Sequence, residues 1–281
     1  MRVKRAVVLA GGGFAASAWE TGVLSGMAAA GVDLRDSDLF IGTSAGARVA
    51  LSLALGSDLD ELYHRQFQPP AGQASPPGRV DWPKVREDWA GAKRAGRDSA
   101  DILRRVGSLA LATSGIDNGE RRNIIATQLP VQTWPAKPLW MVAVNAETGE
   151  RRAFDGASGA ALVDALAATT AFFGWPAMVI QGQTYIDGGF YSSDNADLAA
   201  DFDEVLVFAL RAPAPSLNVV SLDETVERLK SGGSQVQVIQ PDEECLEALS
   251  AGSAMNPAIR GPVASAARIQ GQKLAERGIL F

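Results

Sequence analysis

"DLFIGTSAGARVALSLALG", residues 38–56, is the stretch on which the fold turns. Asp38 to Ile41 has the character of a short buried strand, and Ala45 to Leu55 reads as a helix ended by Gly56. Between them, Gly42-Thr43-Ser44-Ala45-Gly46 fits G-x-S-x-G, the spacing of a nucleophile elbow. Flanking glycines at Gly42 and Gly46 let the backbone turn tightly and let strand and helix approach closely. The Ser44 hydroxyl would then stand clear of the turn, beside a helix N-terminus whose amides favour developing negative charge. The same five residues also suit a plain strand-to-helix turn in which Ser44 caps the helix. Two questions follow: whether Ser44 is a nucleophile, and what would take its proton.

On the N-terminal side, "RAVVLA" (5–10) reads as another buried strand, closed by Gly11-Gly12-Gly13 and followed by a helix over 17–31 that stops at Gly31. A glycine-rich loop after the first strand presents backbone N–H groups to whatever binds at the strand ends, and in a serine hydrolase it holds the oxyanion of a tetrahedral intermediate. Gly11-Gly12-Gly13-Phe14-Ala15-Ala16 also fits the dinucleotide pattern G-x-G-x-x-A. That reading, a nucleotide-binding oxidoreductase, wants a second strand ending in an acidic residue, whereas this one runs into "GTSAG". The basic tip and apolar run at the start are shaped like a short signal peptide, but the three glycines interrupt it and favour a folded strand-turn-helix.

A Ser-His-Asp triad needs a histidine, and His64 is the only one. It lies in "DELYHRQF", a charged helical stretch, and would break the serine-acid-histidine chain order of α/β-hydrolases. The alternative is a carboxylate acting directly on the hydroxyl. Asp187, in "TYIDGGF", follows a strand and precedes Gly188 and Gly189, at a strand end where active sites of open α/β sheets gather. A free aspartate with a pKa of about 3.9 is a weak base, so the role requires desolvation. In isolation Asp187-Gly188-Gly189 reads rather as a simple turn.

Elsewhere, residues 57–68 look helical, "QPPAGQASPPG" (68–78) is a loop, and 81–130 is mixed, charged and helical, a candidate lid or covering subdomain. "LWMVAVNAETGERRAFDG" (139–156) predicts two strands joined by a turn at Thr148-Gly149. A small-residue helix over 159–169 follows, then strands at 184–189, 205–210 and 236–242, and a helix over 257–278. Residues 165–186 carry no charge, but Gly, Pro, Gln and Thr within them favour a buried helix, loop and strand over a membrane span. With no repeat and no dividing linker, alternating strands and helices predict one three-layer α/β/α domain over 1–281, built around a mainly parallel sheet.

Net charge is −6, without a basic run, which argues against a nucleic-acid partner. One cysteine, Cys245, excludes an internal disulfide and suits a reducing compartment, so a cytoplasmic location is expected. One histidine and no cysteine cluster imply no transition metal.

The glycine loop, the G-x-S-x-G elbow and the D-G-G motif occur in the order and at the separations of the patatin-like phospholipases, which this chain resembles. The similarity extends to "WETGVL" (19–24), "LAATTAFFGWPAMVIQGQTYIDGG" (166–189) and "DNADLAADFDEVLVFAL" (194–210), with 57–135 poorly matched. The resemblance implies that Ser44 is the nucleophile and Asp187 its base in a Ser-Asp dyad. It also implies that the amides of Gly11, Gly12, Gly13 and Phe14 form the oxyanion hole. One departure is that the family usually carries Arg or Lys, then Gly, where this chain has Ala15 and Ala16, so a neutral ester, or a phospholipid whose headgroup is held elsewhere, is compatible. The expectation is a serine acyl hydrolase cleaving lipid esters through an acyl-enzyme, with no cofactor and no metal. Its partners are a lipid or fatty-acyl ester and transient contact with a membrane surface. Phe14, Phe172, Phe173 and Trp175 are candidates to line an acyl pocket, or else core residues. A non-catalytic lipid-binding or regulatory relative remains the alternative within the same fold.

Overall fold

The computed structural model describes residues 2–69, 80–111, 116–210 and 217–278; the loop expected at 68–78 lies outside them from residue 70 onward. Short apolar segments rich in valine, such as "RAVVL" and "EVLVF", make the centre of an eight-stranded sheet. Such runs carry no polar face because helices cover both sides. In chain order the strands are β1 (Arg5–Leu9), β2 (Leu39–Thr43), β3 (Leu139–Asn145), β4 (Arg151–Phe154), β5 (Met178–Ile180), β6 (Gln183–Asp187), β7 (Glu204–Phe208) and β8 (Gln235–Ile239). Their spatial order is β5-β6-β3-β2-β1-β7-β8, with β4 also paired to β3. The run from β3 to β8 is parallel, while β4, β6 and β5 join antiparallel.

The period of two along each strand divides the core. Val7, Leu9, Phe40, Met141, Leu206 and Phe208 pack to one side, under α1 (Gly13–Ala29), α2 (Ala45–Ala54), α7 (Leu162–Thr169) and α10 (Arg260–Glu276). Ala6, Val8, Ile41, Val142, Val205 and Val207 face the other, where Leu229 of α8 (Leu222–Ser231) meets them. Between α2 and α7 the chain forms α3 (Leu59–His64), α4 (Trp82–Ala95), α5 (Ser99–Leu111) and α6 (Asn118–Gln128). Trp89 of α4 and Leu103 and Val106 of α5 pack with Val144, Ile186 and Phe190, so these helices cover the β3–β6 flank of the sheet. α9 (Glu243–Ser250) precedes α10. No helix among the described residues is long and apolar enough to cross a membrane.

Asp187 ends a strand, as expected, and that strand is one of the antiparallel members of the mainly parallel sheet. β6 runs antiparallel to β3. β2 ends part-way along β3, with Thr43 opposite Val142, and β6 arrives from the opposite direction with Asp187 opposite Ala143. Two strands of opposite sense therefore deliver the residues Ser44 and Asp187 to adjoining positions on β3.

Candidate active site

Ser44 occupies the cap of α2 with φ 53° and ψ −123°. A positive φ at a non-glycine residue is strained and persists only where surrounding structure imposes it. Here the imposing contacts are identifiable. A Cβ at Gly46 would overlap the carbonyl of Leu9, and one at Gly42 would overlap the backbone of Ala47, so α2 lies against the ends of β1 and β2 with no room for side chains. The Ser44 N–H donates to Thr169 Oγ1 at 2.9 Å, and that hydroxyl donates to the carbonyl of Val142 at 2.5 Å. Thr169, fully buried at the end of α7, thus ties the elbow to β3.

Asp187 is 1% exposed. Its Oδ1 accepts the Gly189 N–H at 2.7 Å; its Oδ2 is buried and has no completed hydrogen bond. Burial pushes the carboxyl pKa up to about 7, against the pull of the Ser44 hydroxyl, the Gly189 amide and the Arg121 charge. Ser44 therefore stands close enough to influence the carboxyl while Oδ2 keeps its acceptor capacity. A Cβ at Gly188 would strike the Val142 carbonyl, which is why glycine must follow Asp187. Asn195, buried and with φ 54°, forms a second bridge between the two halves of the site. Its Nδ2 donates to Thr43 Oγ1 at 3.0 Å, to the Ser192 carbonyl at 2.8 Å and to the Gly188 carbonyl at 3.3 Å.

Gly12 and Gly13 carry φ of 152° and 64°, which suits glycine at the sharp entry to α1. The Gly11 N–H is committed to the Ser193 carbonyl at 2.8 Å. The Gly12, Gly13 and Phe14 amides precede the first intrahelical bond of α1, so the helix itself gives them no acceptor.

These parts open onto a cavity of about 800 Å³ whose wall includes Ser44, Asp187, Gly11 to Phe14, Phe172 and Trp175. Phe173 does not line it and packs edge-on against Phe190 at 5.2 Å instead. His64 is also absent from the wall; its side chain is 66% exposed and faces Asp60 of its own helix at 3.3 Å. Four arginines that the motifs do not announce, Arg48, Arg65, Arg121 and Arg260, do line it. Arg121 is buried, its Cζ 3.8 Å from the centre of the Trp175 ring, and burial with the nearby Arg48 charge lowers its pKa to about 9. Ala15 and Ala16 are buried in the first turn of α1, and the arginines of the cavity wall come from α2, α6, α10 and the short turn after α3. Among the described residues no cluster of His, Cys, Asp and Glu could hold a metal ion.

Among solved structures, the chain is similar to VipD from Legionella pneumophila, with 13% identity, a TM-score of 0.47 and coverage of 99% of this chain and 67% of that one. It is also similar to the type III effector protein ExoU, at 13% identity and TM-score 0.45 over 98% of this chain and 53% of that one. The full-length SpcU–ExoU complex from the type III secretion system of Pseudomonas aeruginosa gives 17% identity and TM-score 0.45, over 98% and 52%. This chain thus spans between about half and two-thirds of the length of those proteins. No curated protein matches it by sequence. The family model for patatin-like phospholipases matches residues 7–200, which is more than half of the chain and takes in the glycine loop, Ser44 and Asp187. The chain belongs to the patatin-like phospholipase family.

Proposed function

We propose that this protein is a serine acyl hydrolase that cleaves lipid carboxylic esters through a Ser44–Asp187 dyad. The observation that carries this reading is one cavity wall holding a serine in a strained elbow and a buried carboxylate with an unused acceptor oxygen. Ser44 Oγ attacks the ester carbonyl carbon as its proton passes to Asp187, and the carbonyl electron pair moves onto oxygen. The amides of Gly12, Gly13 and Phe14 receive that oxyanion, while the Gly11 amide keeps the loop fastened to Ser193. Collapse expels the alcohol, which takes the proton from Asp187, and leaves an acyl-enzyme. Asp187 then deprotonates a water that hydrolyses the acyl group. A base works best when its pKa lies near the working pH, and burial moves Asp187 from the ordinary carboxylate range to about 7.

The chain would work as one domain, with residues of the 57–135 segment walling one side of the cavity and Phe14, Phe172 and Trp175 supplying apolar surface for an acyl chain. The direct test is labelling by a fluorophosphonate, which reacts with an activated serine. Wild-type protein should be labelled stoichiometrically and folded Ser44→Ala not at all. Equal labelling of the two would remove Ser44 from the mechanism.

A further inference from the structure

None of the four arginines of the cavity wall has a part in the chemistry above; Arg65 pairs with Glu61, and Arg260 spends its Nε and both Nη atoms on Gln66 and on the carbonyls of Gln68 and Arg65, which leaves Arg48 and Arg121. Arg48 lies in the first turn of α2, four residues beyond Ser44, and both line the cavity. Arg121 projects from α6 and is 3% exposed. A buried charge is costly unless it is paired and hydrogen-bonded. Arg151 meets that requirement by gripping Asp197 with both Nη atoms, at 2.6 and 2.9 Å.

Arg48 and Arg121 are treated differently. Arg121 Nη2 donates to Thr170 Oγ1 at 2.9 Å, the guanidinium lies on Trp175, and its buried Nε has no partner. Arg48 Nη2 donates to Gln128 Oε1 at 2.8 Å. Those partners are all neutral, and neither arginine forms a salt bridge among the described residues. The other acidic residues of the cavity wall are engaged, Asp58 in capping α3 and Glu61 with Arg65. Asp187 is the one carboxyl acting on Arg121, and burial disfavours its charge. The two guanidiniums also repel each other. Positive charge therefore collects beside Ser44 with no carboxylate among the described residues bonded to either guanidinium, and these two planar groups supply directed N–H donors that suit a tetrahedral oxyanion.

We propose that Arg48 and Arg121 form an anion subsite beside Ser44 that takes a phosphate group. Placing that phosphate on an acyl-ester substrate rests on the hydrolase reading; the subsite itself does not. The same donors serve a phospholipid headgroup or free phosphate, and the experiment separates them.

Titration calorimetry on Ser44→Ala protein, where turnover is excluded, reads binding of two probes. These are inorganic phosphate and a short-chain phosphatidylcholine below its micelle-forming concentration. Arg48→Gln carries the comparison, since Arg48 lies half-buried on the cavity wall and its loss leaves the core intact. Arg121→Gln is the corroborating variant in the more deeply buried position. Loss of a charged hydrogen-bonding partner should weaken binding by about tenfold to a hundredfold. That loss for both probes assigns the subsite to phosphate in general, and for the phospholipid alone to a headgroup. Absence of binding by either probe, or an affinity unchanged in folded Arg48→Gln, overturns the proposal. If phosphate binding depends on Arg48 but the fluorophosphonate leaves Ser44 unlabelled, the hydrolase reading fails and the subsite stands.

Discussion

Asp187→Asn should cripple the enzyme and, above neutral pH, stabilise it. Both effects come from the burial that makes Asp187 a usable base. Its carboxyl titrates near 7 in the folded protein and at about 3.9 in an unfolded chain. The folded state thus holds the proton more tightly, so stability is fully present below about pH 4 and falls as pH rises, until the carboxyl is ionised in both states above about pH 7. A difference of about three pKa units corresponds to a ceiling of about 4 kcal/mol. About 2 to 3 kcal/mol of that falls between about pH 5 and about pH 8.5. Asparagine keeps the acceptor for the Gly189 amide but places an N–H₂ where Oδ2 has no partner, at a constant cost of about 1–3 kcal/mol.

Below neutral pH the net sign depends on these two opposing quantities, but the change with pH does not. Urea denaturation of both proteins at about pH 5 and about pH 8.5 should show Asp187→Asn gaining on wild type by about 2 to 3 kcal/mol across that interval. Contributions from other titrating groups, including the buried Glu20, whose pKa burial also raises, cancel in the difference. Wild-type kcat/KM should rise with pH around an apparent pKa of about 7, and Asp187→Asn should lose about 10²–10⁴-fold in turnover. A stability difference that stays flat across the interval would refute the claim that Asp187 is held by desolvation.

Much of this site could be read locally, because local sterics produce it. The elbow glycines are required by the approach of α2 to the end of β1, and Gly188 by the Val142 carbonyl. What escaped sequence reading depends on partners remote in the chain. Thr169 closes a run of small residues and reads as a helix end; its role exists only because β3 presents the Val142 carbonyl to it. Arg121 and Arg122 are neighbours in a charged helix, yet Arg121 turns inward while Arg122 pairs with Asp164 in a half-exposed position. A local signal did exist, since Arg121 and buried Ile125 lie four residues apart on one helix face.

The antiparallel sense of β6 had no local signal. It follows from β5, three residues long and absent from the sequence expectations, which returns through Gln181-Gly182, both at positive φ. α8 and α9 were also missing from those expectations, although Ser221 and Glu224 form a capping box that marks the start of α8.

Two further substitutions separate the site from its surroundings. His64→Ala should leave kcat/KM within about twofold of wild type, because a solvated side chain paired to its own helix transfers no proton; steady-state kinetics that show a loss comparable to Asp187→Asn would restore the triad. Thr169→Val removes the hydroxyl that serves both the Ser44 amide and the Val142 carbonyl, leaving two buried backbone groups unpartnered at about 1–3 kcal/mol each. Instability alone would reduce the amount of folded protein but not the turnover of each folded molecule. If the tether holds the strained elbow in its attacking geometry, kcat per fluorophosphonate-titrated site should fall by about 10²-fold with KM little changed, and Thr169→Ser should restore it. Wild-type kcat per titrated site in Thr169→Val would show that Ser44 keeps its geometry without Thr169, and that Gly42 and Gly46 alone hold the elbow.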